Sequence, residues 1–226
     1  MPVNPNATIE ITTFDWAPDF AKGLVRDLRV RWALEEAGLD YRMRLFDFQS
    51  IPEDYLREQP FHQVPALRDG EVQIFETGAI VQYIGEKSTT LLPIDTQGRY
   101  RAIGWTYAAL NSVEPAVMNL ATIDLFYPDE QWAKARRPGA EDFVRQKLKR
   151  LSDWLGDKDW LENRFTIGDL LMVTVLRILR HTELVGEFPN LAEFVKRGEA
   201  RPAFQQGLAD QLAVYAATEQ ARGEAA

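Results

Sequence analysis

The chain contains no cysteine. This excludes disulfides, thiolate metal sites and every mechanism in which a protein thiol acts as nucleophile or redox centre, so any sulfur chemistry must come from a ligand. Histidine is nearly absent as well. The only two, His62 and His181, are too far apart in sequence to suggest a metal pair, and no metal is expected. Charged or polar residues interrupt every apolar run well short of the ~18 residues a spanning helix needs. Residues 1–13 have neither the basic opening nor the apolar stretch of a signal peptide, so the expectation is a cytoplasmic protein with no membrane partner. There is no excess of positive charge either: 26 Lys and Arg against 34 Asp and Glu leave a net charge of -8. A surface of that sign repels a phosphate backbone and argues against nucleic acid as a partner. Internal repeats and sustained heptads are missing.

The composition that remains, 46% hydrophobic and 27% charged, is that of an ordinary globular chain able to bury a core. Its 226 residues allow one large or two small domains. Residues 8–14 alternate, with Ile9, Ile11 and Thr13 on one face, and predict a strand. Over residues 24–39, Leu24, Leu28 and Trp32 and then Val30, Ala33, Leu34 and Ala37 fall at helical spacing, with Gly38 as the stop. Residues 41–48 alternate again, and a strand, helix, strand order favours parallel pairing through a right-handed crossover. A short connecting helix at 52–59 precedes strands at 64–67 and 72–75 around the turn Asp69-Gly70, a hairpin signature. A helix at 77–86 follows, carrying Ala79, Ile80, Tyr83 and Ile84. Residues 1–87 therefore read as an α/β domain, a mixed sheet of order βαβ then ββα with helices on its faces.

Past residue 87 the strand signals stop. Residues 88–98, with Pro93 and Gly98 among polar neighbours, read as a linker, and 99–226 as an all-helical domain with helices near 99–123, 140–155, 166–181, 191–199 and 202–217. The second of these puts Val144, Leu148, Leu151 and Leu155 on one face. The third is apolar nearly all round and should form the buried centre, entered through a capping box of Thr166 and Asp169.

Four segments stand out together: Val30-Arg31-Trp32-Ala33-Leu34-Glu35-Glu36-Ala37-Gly38-Leu39, Gln63-Val64-Pro65-Ala66-Leu67, Glu76-Thr77-Gly78-Ala79-Ile80 and Thr166-Ile167-Gly168-Asp169. In this order and spacing, over nearly the whole chain, they resemble the cytosolic glutathione S-transferase family. The resemblance implies a thioredoxin-like domain that holds glutathione, an all-helical domain that offers an apolar pocket to a hydrophobic electrophile, and a homodimer. It also implies that Pro65 follows a cis bond. Such a turn frees the N–H and C=O of Val64 to pair with the backbone of a bound tripeptide, as in strand addition. The alternative is a plain strand start that only fixes the hairpin. Glu76 and Thr77 stand where a strand gives way to a helix, whose unpaired N–H groups suit the γ-glutamyl carboxylate. Thr77 can add a hydrogen bond to it and Glu76 can accept from the ligand's ammonium, unless Thr77 merely caps its own helix. Gln63 resembles a residue of the family that touches the peptide.

A thiol is mostly protonated at neutral pH, and the family places a hydroxyl or thiol near the end of the first strand to stabilise the thiolate. Residues 14–23 contain no Tyr, Ser, Thr or Cys. Thr13 is the nearest donor, and its other reading is a strand-filling residue. Cations near the sulfur are a second route, from Lys22, Arg26 or Arg29. Arg26 either faces the peptide or pairs with Asp27 or Glu35, and Trp16 either walls the ligand or pins the long loop. For the electrophile, Tyr107, Asn111, Glu114 and Met118 recur at i, i+4, i+7 and i+11 and so share one mixed face of the predicted helix, fit either for a cleft or for a dimer partner. The expected activity is conjugation of glutathione to an electrophile. Glutathione-dependent peroxidase or isomerase chemistry is the enzymatic alternative, and a non-catalytic interaction protein of the same fold is the other.

Overall fold

The computed structural model describes residues 3–224. By contacts it divides into two compact units, one reaching to Leu91 and resuming at Arg201, the other Leu92–Ala200. The first contains β1 (Ile9–Phe14), α1 (Asp27–Ala37), β2 (Tyr41–Phe46), β3 (Ala66–Asp69), β4 (Val72–Phe75) and α2 (Thr77–Glu86). The second holds α3 (Thr96–Tyr107), a π-helical stretch Ala108–Val113, α4 (Glu114–Phe126), α5 (Gln131–Leu155), α6 (Ile167–Leu176) and α7 (Pro189–Glu199). The last helix, α8 (Pro202–Glu224), belongs to the first unit.

In the first unit, β1 runs parallel to β2 with Ile9 opposite Tyr41, and antiparallel to β3 with Ile11 opposite Leu67. With β3 antiparallel to β4, the order is β2-β1-β3-β4, the thioredoxin-like arrangement expected from the sequence. As a central strand, β1 is covered on both faces, so Thr12 and Thr13 are buried along with Ile9 and Ile11. Helix α1 ends at Gly38, whose φ of 64° closes it in the left-handed conformation that a side chain resists. It begins at Asp27, three residues later than the periodicity from Leu24 predicts; residues 19–21 form a separate 3-10 turn, and Gly23 stands at φ 74° between the two.

Helix α8 does not join the other late helices as the reading of 99–226 anticipates. Phe204 sets its ring edge-on to Trp32 of α1 at 5.0 Å, and Arg201 pairs with Glu36 at 2.7 Å. A Cβ on Gly207 would lie 3.2 Å from the Trp32 backbone N, so glycine lets the two helices touch.

In the second unit every residue of α6 is buried, as its all-round apolarity requires. Asp169 accepts from the Thr166 N–H at 2.9 Å and from the Leu161 N–H at 2.8 Å, completing the capping box. Burial raises its pKa to about 6 against those hydrogen bonds. The single helix expected over 99–123 is broken by the π stretch, which ends just before Pro115. Proline has no N–H for the i→i−4 ladder, and an inserted residue absorbs that loss. Helix α5 starts at Gln131 rather than 140 and runs through Pro138, while Val144, Leu148, Leu151 and Leu155 are buried on the face that their spacing assigns.

Candidate functional site

In the hairpin, Ala66 stands opposite Phe75, so the residues just outside that pair, Pro65 and Glu76, come to the same end of the sheet. This register joins the two segments that the sequence picked out separately. The Val64–Pro65 bond is cis. The turn around it is held from inside. The Ala66 N–H donates to Thr12 Oγ1 at 2.7 Å, and Tyr55 Oη, 2.6 Å from Thr12 Oγ1, donates to the Gln63 carbonyl at 2.9 Å. Since the Tyr55 proton is used there, Thr12 donates to Tyr55. The buried Gln59 accepts from the N–H groups of Phe61 at 2.7 Å and Gln63 at 3.1 Å. The N–H and C=O of Val64 are left without a hydrogen bond among the described residues. The Gln63 side chain is exposed, and His62 engages the Pro52 carbonyl at 3.2 Å.

At the start of α2, Glu76 lies at φ 70° and its side chain makes no cap. The first intrahelical bond runs from Ile80 N to Glu76 O at 2.9 Å, so the amides of Thr77, Gly78 and Ala79 are not used by the helix. Thr77 is buried and accepts from Arg29 Nη1 at 3.4 Å instead of capping its own helix. Arg29 is only 3% exposed. A buried guanidinium and a helix N-terminus therefore act with the same sign beside one hydroxyl, which makes this corner a cradle for an anion. Glu76, exposed next to it, supplies a carboxylate for a cation.

The loop between β1 and α1 carries the remaining candidates of this unit. Trp16 is half-buried, its ring edge-on to Phe48 at 5.9 Å and its Nε1 donating to Glu219 at 3.0 Å. Lys22 lies 2.7 Å from both Asp19 and Glu219, and these carboxylates raise its pKa. Arg26 is exposed, one residue ahead of α1.

Thr13 is placed where it cannot meet a ligand. It is fully buried and donates to Asp27 Oδ2 at 2.8 Å, an oxygen that also takes Arg31 Nε at 2.7 Å. The cause is the central position of β1, which leaves neither of its threonine faces open. Thr12 is consumed in the same way by the turn at Gln63. The expected hydroxyl donor is corrected accordingly, and of the cations raised in its place Arg26 is the exposed one.

In the second unit the four residues expected on one face are divided. Tyr107 and Asn111 are exposed, Met118 is half-buried and Glu114 is buried. The π stretch between Tyr107 and Glu114 adds residues per turn and rotates the later pair away from the face predicted for a continuous α-helix. His181 lies between Asp124 at 3.2 Å and the Ile178 carbonyl at 3.0 Å. No group of three or more metal-ligating side chains is present among the described residues.

Sequence reasoning missed Tyr55, Gln59 and Gln211. Each acts through hydrogen bonds to segments distant in sequence or to backbone, and no spacing or periodicity announces such a contact.

Comparison with known proteins bears on the same segments. Residues 21–86 match the family model of the glutathione S-transferase N-terminal domain, and residues 115–202 that of the C-terminal domain. Glutathione S-transferase F14 of Arabidopsis thaliana is 26% identical over 195 residues, covering 76% of this chain and 75% of its own. A probable glutathione S-transferase of Oryza sativa, GSTF2, is 29% identical over 164 residues, with 70% and 74% covered. Among solved structures, a glutathione transferase family member from Pseudomonas fluorescens pf-5 with two glutathione bound is 25% identical at a TM-score of 0.79, covering 90% of this chain and 93% of that one. A glutathione transferase from Burkholderia graminis, also with two glutathione molecules bound per subunit, is 27% identical at a TM-score of 0.78, with 88% and 87% covered. The sheet order, the cis proline turn, the open start of α2 and both family models agree: the chain belongs to the glutathione S-transferase family.

Proposed function

We propose that this protein is a glutathione transferase that binds glutathione on its first unit and conjugates it to a hydrophobic electrophile. The observation that carries the reading is the corner where Val64, with a free N–H and C=O, meets the uncapped start of α2. Val64 pairs with the tripeptide backbone by strand addition. The γ-glutamyl carboxylate sits on the amides of residues 77–79 and on Thr77 Oγ1, with Arg29 behind it. Glu76 accepts from the ammonium, and Gln63 reaches the peptide from the rim. Trp16 walls the thiol end, where the positive charge of Arg26 favours the thiolate. The thiol gives up its proton, the sulfur forms a bond to the electrophilic carbon, and the leaving group departs with the electron pair. On the second unit, Tyr107 and Asn111 are the exposed members of the set expected to meet an electrophile, whereas Met118 is half-buried and Glu114 buried.

Two further elements belong to the proposal. The exposed pair Phe61 and Phe75, 6.5 Å apart, suits a homodimer contact. A cytoplasmic location suits a reaction that consumes glutathione in its reduced form. A non-catalytic interaction protein of the same fold is the second reading, and the commitment of both Thr12 and Thr13 to the interior favours it.

The test is to saturate the protein with glutathione and follow the ultraviolet absorbance of the thiolate against pH. A bound thiol that ionises at least one pH unit below free glutathione supports the transferase. Binding with an unshifted thiol favours the interaction protein. If glutathione does not bind, the site assignment fails.

A further inference from the structure

We infer that α8 acts as a clasp on the loop between β1 and α1, with Gln211 and Glu219 as positioning residues for the glutathione site; this rests on the reading above only for its effect on glutathione. Gln211 is fully buried, and both ends of its amide are spent on the last turn of the loop. Its Oε1 accepts from the Gly23 N–H at 3.1 Å, and its Nε2 donates to the Val25 carbonyl at 3.3 Å and to Asp27 Oδ1 at 2.6 Å. Gly23 stands at φ 74°, so the turn is a left-handed one that the amide fixes in place. Two turns further along α8, about 12 Å at 1.5 Å per residue, Glu219 takes the other part of the loop, accepting from Trp16 Nε1 at 3.0 Å and from Lys22 Nζ at 2.7 Å. Arg222 follows with its guanidinium 5.7 Å from the Trp16 ring and 3.6 Å from Asp15.

One helix thus grips the loop at both ends, and the residues it grips include Trp16 and flank Arg26. The two grips differ in kind. Gln211 satisfies buried backbone, where an unmade hydrogen bond is costly. Glu219 is a surface contact that contributes little to stability and acts by orienting Trp16. Glu219 therefore acts on ligand affinity through Trp16, while Gln211 also fixes the segment that carries Arg26.

Amide exchange of residues 15–26 and steady-state kinetics are to be measured on the full chain and on Gln211→Leu, Glu219→Leu and Glu219→Gln. Both leucine variants are expected to speed exchange in the loop about tenfold while β1 remains protected, and to raise the glutathione KM about tenfold, with kcat within about twofold for Glu219→Leu. Glu219→Gln keeps an acceptor for Trp16 and should restore the wild-type KM. If Gln211→Leu does not fold, Glu219→Leu, at the surface, carries the test. Unchanged loop exchange in the leucine variants overturns the inference, and so does a loosened loop with an unchanged KM. Should the wild type bind no glutathione, the functional reading falls and loop exchange alone judges the clasp.

Discussion

Glu35 on α1 offers the sharpest quantitative check on how the first unit is packed. Its Oε1 and the Oδ2 of Asp210 on α8 are both cut off from water and have no hydrogen-bond donor. Two carboxylates in that state repel each other when both are charged, and one proton between them relieves both. Burial, and next the charge of Asp210, raise the Glu35 pKa from its ordinary 4.5 to about 7, with Arg31 drawing it the other way. Tyr41 of β2 faces the same cluster, and Gln206 donates to the second Asp210 oxygen at 2.9 Å. Because the folded state holds this proton more tightly than the unfolded one, this contribution to stability is greatest at low pH. It falls as pH rises from about 4.5 to about 7 and is flat above that. The full shift corresponds to about 3 kcal/mol, and screening of a side chain that is partly open to water lowers the expected loss to about 1–2 kcal/mol. Glu35→Gln supplies a permanent donor to Asp210 and should abolish the slope. In urea unfolding, the variant should match the wild type near pH 4.5 and exceed it by about 1–2 kcal/mol at pH 7.5. Asp169, raised by burial with the same sign, remains in both proteins and cancels in the difference. Parallel pH profiles for the two proteins would refute the shared proton.

Other outcomes follow from single contacts. Asp169→Ala removes the acceptor for the buried N–H groups of Thr166 and Leu161 and should cost at least about 2 kcal/mol in chemical unfolding; a cost under about 0.5 kcal/mol would contradict the capping role. Thr13→Val removes a donor from the buried Asp27 carboxylate and should lower stability by about 1–2 kcal/mol while kcat with glutathione is unchanged. A large fall in kcat in a folded Thr13→Val protein would return the hydroxyl to catalysis.

The fold was readable from the sequence wherever local pattern and tertiary structure agree. The alternation in β1, the helical spacing ended by Gly38, the Asp69-Gly70 turn and the Thr166/Asp169 box each carry their own physical signal, and each is found in place. Each failure has a specific physical cause. The register of Tyr107 to Met118 was lost because Pro115 is accommodated by a π stretch, which shifts a face without changing composition. Thr13 looked available because a strand's last residues are often open, whereas β1 is the inner strand of the sheet and is covered on both sides. The sequence places α8 with its chain neighbours because nothing in an amphipathic pattern says which unit it will meet; Gly207 and Gln211 decide that, through contacts to residues some 180 positions away. Of the site, the segments around Val64 and Thr77 were visible as motifs, while Tyr55, Gln59 and Gln211, which hold them and the loop, act through long-range hydrogen bonds without periodicity.

The central claim is that the corner formed by Val64 and the start of α2 holds glutathione by its γ-glutamyl group. Calorimetric titration of the protein with glutathione and with cysteinylglycine, which keeps the thiol and lacks that group, tests it most directly. The account predicts that glutathione binds and that cysteinylglycine binds at least about 30-fold more weakly, the equivalent of about 2 kcal/mol from the lost carboxylate contacts. Equal affinity for the two, or no binding of glutathione, would contradict it.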